Sequence, residues 1–142
     1  MNRKESAELT DTFAVENAFY RDVSVTRIGK FVTHLDLFRR SAQVPGEIVE
    51  CGVFKGSSLF RWLKLRSLLE NTNSRKIFAF DVFGEFPEAG NEADRMVREE
   101  FVKAAGNVGP SRDELLDSLK EQGLHENIEL IDGDICETVP RF

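Results

Sequence analysis

Apolar residues along this chain change period as they go. Ile28, Phe31, Val32, Leu35 and Phe38 fall at i, i+3, i+4, i+7 and i+10, one stripe of an amphipathic helix. Arg39, Arg40 and the pair Pro45-Gly46 close it, with the cations favourably placed at a helix C-terminus. Upstream, Met1–Tyr20 is polar, with Leu9, Phe13, Val15 and Phe19 scattered through it, and a short helix or lid is expected there. Ile48, Val49, Cys51 and Val53 then favour a strand over Glu47–Gly52. Ser57 and Ser58 are expected to cap a helix running to Glu70, whose apolar members are Leu59, Phe60, Leu63, Leu68 and Leu69, with Trp62 in the core beside them. KIFAFDVF, Lys76–Phe83, is a nearly continuous apolar run broken by Asp81, as in a strand buried on both faces.

Pro87 to Gly90 reads as loop, and Glu92–Ala105 as a helix carrying Met96, Val97, Phe101, Val102 and Ala105 at helical spacing. Gly106–Pro110 interrupts. Ser111-Arg-Asp-Glu114 is a capping box opening a helix with Leu115, Leu116 and Leu119 inward, and Gly123 supplies its stop. NIELI, Asn127–Ile131, is the third strand, ending in Asp132-Gly133-Asp134. Strands alternating with helices imply an α/β fold with a parallel sheet. Residues 1–25 are expected to be a helical or flexible segment, and 26–142 the α/β portion. In an open parallel sheet the carboxyl ends of the strands meet at the ligand crevice. The glycine turn after the first strand, Asp81 after the second and Asp132/Asp134 after the third should therefore converge.

Composition narrows the classes. With 142 residues the chain is long enough for one cored domain, and a net charge of −6 disfavours nucleic acid as partner. The start, MNRKESAELTD, lacks the apolar core of a secretory signal, and no run approaches the roughly 20 apolar residues of a membrane span. A cytoplasmic protein without a membrane partner is expected. Cys51 and Cys136 lack CxxC spacing and read as small buried thiols. His34, flanking the amphipathic stripe, and His125, in a turn, have no partner at metal-ligand spacing. Glu85, Glu88, Glu92 and Asp94 make an acidic stretch that serves solubility or covers a ligand.

The stretch EIVECGVFKGSS, Glu47–Ser58, is the centre of the chemistry. A strand delivering a bare backbone turn to a helix N-terminus suits a nucleotide-like cofactor. A P-loop needs lysine after its second glycine, but Lys55 precedes Gly56; a dinucleotide fingerprint needs a middle glycine where Phe54 stands. The phosphate routes are thus disfavoured. S-adenosylmethionine has no phosphate and offers an adenine, a ribose diol and a zwitterionic amino-acid tail. Glu50, Gly52 and Gly56 suit the tail, the Asp81 carboxylate the ribose hydroxyls and Asp134 the adenine amine.

VECGVFKGSS, FAFDVFGEFP and IDGDICETVP together resemble the macrocin O-methyltransferase family, S-adenosylmethionine-dependent enzymes of the Rossmann-like class that methylate hydroxyls of sugars in natural products. The resemblance runs from about Arg27 to the C-terminus. It implies that Glu50, Cys51, Gly52, Gly56, Ser57 and Ser58 line the methionine end of the cofactor. It further implies that Asp81 holds the ribose, with Phe83 among the cofactor contacts, and that Asp134 and Ile135 border the adenine. Phe54 replaces a common tryptophan or tyrosine, and Ser57 a further glycine.

A Rossmann-like methyltransferase sheet has seven strands, ordered 3-2-1-4-5-7-6, so residues 26–142 correspond to its N-terminal half, with order 3-2-1. The first strand is then an uncovered apolar edge. The resemblance places the aspartates that bind a divalent metal, such as magnesium, on later strands, so no catalytic base or metal ligand is assigned here. The expected function is an O-methyltransferase, read as truncated, with a sugar-like hydroxylated acceptor. Two alternatives stand beside it. One is a non-catalytic half-domain completed by another chain, a homo-oligomer included. The other is a magnesium-dependent phosphoryl-transfer enzyme with Asp81, Asp132 and Asp134 as oxygen ligands, against which stand Val82-Phe83 after Asp81 and the lack of a phosphate loop.

Overall fold

The structure is a computed structural model that describes the backbone of residues 3–89 and 91–142, and side chains from Thr12 onward. Met1, Asn2, the side chain of Leu9 and Gly90 lie outside the described residues. The chain forms two compact units, one ending at Ser41 and one spanning Ala42–Phe142.

The first unit is helical: α1 covers Arg3–Asp22 and α2 covers Val25–Ser41. Asp36 and Arg40 pair one turn apart near the end of α2, so the predicted basic terminus is present. Of the predicted stripe, Phe38 is buried and Ile28 and Leu35 are partly covered, whereas Phe31 and Val32 are exposed. The periodicity located the helix correctly but overstated its buried face.

In the second unit, β1 (Ile48–Cys51), β2 (Ile77–Asp81) and β3 (Ile128–Asp132) form a parallel sheet in the order β1-β2-β3. That is the predicted order 3-2-1, read from the other edge. Between strands come α3 (Ser57–Leu69), then α4 (Glu92–Ala105) and α5 (Arg112–Glu121); the four-residue α6 (Ile135–Thr138) and a 3-10 turn, Val139–Arg141, follow β3. The central strand explains its own composition. Ile77 and Ala79 project into a core with Val53, Leu59, Leu63, Leu115, Leu119 and Leu130. Phe78 and Phe80, of the opposite parity, meet the ring of Phe142. A strand flanked on both sides by strands and packed on both faces can be apolar almost throughout.

α3 and α5 cover the first of those faces, and Trp62 packs partly buried against this core. Leu68 and Leu69, at the end of α3, are exposed, Leu68 by 75 %. The last turn of α3 is fixed instead by Arg66. Its guanidinium is buried and donates to the carbonyls of Arg75, Glu126 and Asn127, at 2.8 Å each. These bonds tie the helix end to the segments entering β2 and β3.

α4 begins at an Asn91 cap accepting from the Asp94 N–H, and α5 at the predicted Ser111–Glu114 capping box. Both caps satisfy N–H groups that a helix start leaves orphaned. Gly123, with φ +65°, donates to the Lys120 carbonyl where the predicted stop falls. Met96, Val97 and Phe101 of α4 remain exposed. Cys51 and Cys136, expected as buried thiols, are both exposed. Cys51 lies on edge strand β1, which has a hydrogen-bonded neighbour on one side, and Cys136 in the first turn of short α6, which buries none of its residues. Among the described residues no helix is long and apolar enough to cross a membrane.

Candidate functional site

At the end of β1 the Gly52 N–H still bonds the Phe80 carbonyl, at 2.8 Å, after which the chain turns sharply. Gly52 has φ +86° and Gly56 φ +80°, backbone that side-chained residues rarely adopt. Gly56, not Ser57 or Ser58, is the N-cap of α3, and no side chain caps that terminus. Its left-handed conformation sets both serines inside the helix, where Ser58 Oγ donates to Glu50 Oε1 instead. The predicted serine caps are thus corrected to a glycine cap.

Glu50 projects from β1 into a half-buried setting. Its Oε2 is buried and has no hydrogen-bond partner. Burial, with a contribution from the nearby Asp81 charge, pushes its carboxyl up to about 7, against the opposing pull of the Ser58 hydroxyl and Arg61. Asp81, at the tip of β2, is engaged by backbone. Oδ2 accepts from the N–H groups of Val53 at 2.5 Å and Phe54 at 2.8 Å, and Oδ1 from Phe83 at 3.1 Å. Asp134 caps α6 through the Cys136 N–H, at 2.8 Å.

The strand tips open on a cleft of about 420 Å³ lined by Gly52, Phe54, Asp81, Val82, Gly84, Glu85, Phe86, Pro87, Phe101, Asp134 and Ile135. The cleft thus brings together Gly52, Asp81 and Asp134 of the predicted convergence, with Ile135 beside them, whereas Asp132 is not among its lining residues. Glu50, Cys51, Gly56, Ser57, Ser58 and Phe83 are not among its lining residues. Phe83 packs against the core, and Glu50 stands beside the start of α3 through its bond to Ser58.

One wall of the cleft was not foreseen as part of a site. Phe54, Phe86 and Phe101 form a cluster with ring centroids 5.1 to 6.1 Å apart, edge-on or tilted. Phe101 had been read only as a member of an apolar helix face; the signal for its role is that this face has no core to meet. The wall is held by backbone. Glu85 bridges Val108, the Phe86 N–H bonds the Asn107 carbonyl at 2.7 Å, and the Gly109 N–H bonds the Gly84 carbonyl at 2.7 Å. Arg98 then binds the carbonyls of Pro87 and Phe86 and the side chains of Glu88 and Asn107. The acidic stretch is accordingly paired at Glu85, Glu88, Glu92 and Asp94 rather than left to solvent alone.

Among the described residues no three His, Cys, Asp or Glu side chains gather as a metal ion would require. The Asp81 oxygens serve backbone donors instead, and Asp132, its register partner on β3, is exposed.

The fold has counterparts among solved structures. The O-methyltransferase NovP superposes with a TM-score of 0.63 at 20 % identity, covering 83 % of this chain and 49 % of that one. CalS11, a calicheamicin methyltransferase, gives 0.59 at 25 % identity, covering 92 % and 53 %. Its apo form, a TDP-rhamnose 3′-O-methyltransferase of calicheamicin biosynthesis, gives 0.54 at 23 %, covering 92 % and 50 %. The chain spans about half the length of these structures. Its three-stranded parallel sheet with flanking helices is similar to part of a methyltransferase fold. Residues 20–142 match the model of the macrocin O-methyltransferase (TylF) family, and the chain belongs to that family. Comparison with curated proteins gives no match.

Proposed function

We propose that this chain is the S-adenosylmethionine-binding half of a cytoplasmic O-methyltransferase that acts on a hydroxyl of a sugar-like small molecule. The observation that carries it is the chemistry of the cleft. Its lining offers three carboxylates, from Asp81, Glu85 and Asp134, no cation, and a wall of aromatic and aliphatic side chains. Such a site repels phosphate and favours a cationic, hydroxyl-bearing ligand with an apolar ring. Gly52 fits the same ligand, since a Cβ there would meet no protein atom within 4 Å and the backbone can be approached closely. The unpaired Glu50 Oε2 fits as well, being a buried polar atom that needs a hydrogen-bond partner.

On this assignment Glu50, Cys51, Gly52, Gly56, Ser57 and Ser58 serve the methionine end, Asp81 and Phe83 the ribose side, and Asp134 with Ile135 the adenine. The bound S-adenosylmethionine supplies an electrophilic sulfonium methyl group. The residues of this chain orient it and keep water from it. Taking the proton from a sugar hydroxyl further requires a base or a divalent metal, which the family resemblance assigns to strands beyond β3. The acceptor class is supported by the sugar-modifying activity of CalS11.

Titration of the chain with S-adenosylmethionine and with ATP, following heat and thermal midpoint, tests the proposal. Saturable binding of the first and none of the second is expected; a folded chain that prefers ATP would overturn it. A second reading, a half-domain completed by another chain, is favoured by edge strand β1 with Val49 exposed by 48 %. A stable dimer indifferent to S-adenosylmethionine would support that reading instead.

A further inference from the structure

The carboxylate of Asp81 sits between two turns. It accepts from Val53 and Phe54 in the turn after β1, and from Phe83 in the turn after β2. Phe54 and Phe83 both hold left-handed backbone, φ +49° and +42°, which residues other than glycine avoid. Something must hold them there. A carboxylate oxygen accepts about two hydrogen bonds; Oδ2 already has both, and Oδ1 has room for one more. A side chain whose ionised oxygens are mostly occupied by turn amides is doing more than waiting for a ligand.

We propose that Asp81 is a positioning residue, which governs cofactor affinity chiefly by holding the glycine turn in its binding shape. The proposal rests on the methyltransferase reading above. The surroundings agree with it. A Cβ at Gly109 would stand 2.9 Å from the Phe54 carbonyl oxygen, so the turn is pressed against backbone on its far side. Lys55, the next residue, donates to the Ala105 carbonyl at the end of α4, at 2.6 Å. The turn is therefore clamped between the tip of β2 and the α4–α5 connection. Phe54 carries the clamp into the aromatic wall of the cleft. Losing the Asp81 bonds frees Phe54 to leave the left-handed region and moves both the turn and that wall.

The test combines amide hydrogen exchange of the ligand-free chain with binding of S-adenosylhomocysteine and its 2′,3′-dideoxy analogue. Asp81→Asn is expected to accelerate exchange at Val53 and Phe54. It should weaken both ligands, with the larger part of the loss, about tenfold to a hundredfold for lost charge-assisted bonds, persisting with the dideoxy analogue. Asp132→Asn, which removes a charge from the neighbouring strand tip, should do neither. Unchanged exchange, or a loss of affinity that vanishes with the dideoxy analogue, overturns the proposal. If Asp81→Asn does not fold, the wild-type chain decides: protected Val53 and Phe54 amides support the role and freely exchanging ones overturn it. A folded wild-type chain that binds neither ligand overturns instead the methyltransferase reading beneath it.

Discussion

Glu50 is the residue whose chemistry folding changes most visibly. Its carboxyl is withdrawn from water with one oxygen bonded to Ser58 and the other unpaired, and its pKa rises from 4.5 to about 7. The sign of the consequence follows from linkage. Below pH 4.5 both folded and unfolded chains hold the proton and nothing is lost. Between 4.5 and about 7 the unfolded chain ionises while the folded one does not, so stability falls as pH rises. The full loss is on the order of 3 kcal/mol above pH 7. Glu50→Gln is neutral in both states. We expect it to melt close to wild type at pH 4.5 and several degrees higher at pH 8, read by calorimetry. Parallel pH profiles for the two proteins would assign the titration to another group. A bound ammonium beside Oε2 would favour the ionised form, so cofactor binding near pH 6.5 is expected to release a proton, seen as buffer-dependent heat.

Elements differ in how much they bear on the cleft. The Ser111–Glu114 capping box closes the start of α5 away from the cleft lining, with Glu114 Oε2 accepting from the Ser111 N–H at 2.8 Å. Ser111→Ala should cost about 1 kcal/mol of stability and leave ligand affinity unchanged. Arg98 belongs to α4 but fastens the loop that forms the cleft wall. Arg98→Ala should free residues 85–88 in hydrogen exchange and weaken S-adenosylhomocysteine severalfold, with a loss of about 2 kcal/mol from the unpaired carbonyls. Elements that announce themselves by period or cap were legible in the sequence. β2 was, because a central strand packed on both faces needs an apolar run; α5 was, because its capping box is local. The acid at the tip of β2 could likewise be named from the strand-end rule. What Asp81 bonds to could not, since Val53 and Phe54 lie far from it in sequence and their approach is a tertiary event. The aromatic wall was hidden for the same reason: Phe54, Phe86 and Phe101 come from a turn, a loop and a helix. The exposure of Leu68 and Leu69 was not legible, because leucines at helical spacing report a face, not whether anything covers it.

At the scale of the molecule, the sheet has two edge strands, β1 and β3. β2 is paired on both sides, while β1, of four residues, pairs with β2 alone. Val49 and Cys51 are exposed on it, and its outer backbone groups form a ready template for another strand. The chain spans about half the length of its structural relatives. An edge of this kind governs behaviour in solution more than the net charge of −6 does, because strand pairing acts at contact whereas repulsion between like-charged chains is screened within about 10 Å at ordinary salt. The purified chain is therefore expected to self-associate through β1, with a sedimentation coefficient that rises with concentration. Val49→Lys places a charge on that edge, outside the cleft lining, and should shift the chain toward monomer while leaving S-adenosylhomocysteine affinity intact. Sedimentation velocity at two protein concentrations reads the first effect and calorimetric titration the second. If Val49→Lys associates as wild type does, β1 is not the contact and the self-association runs through another surface, edge strand β3 included.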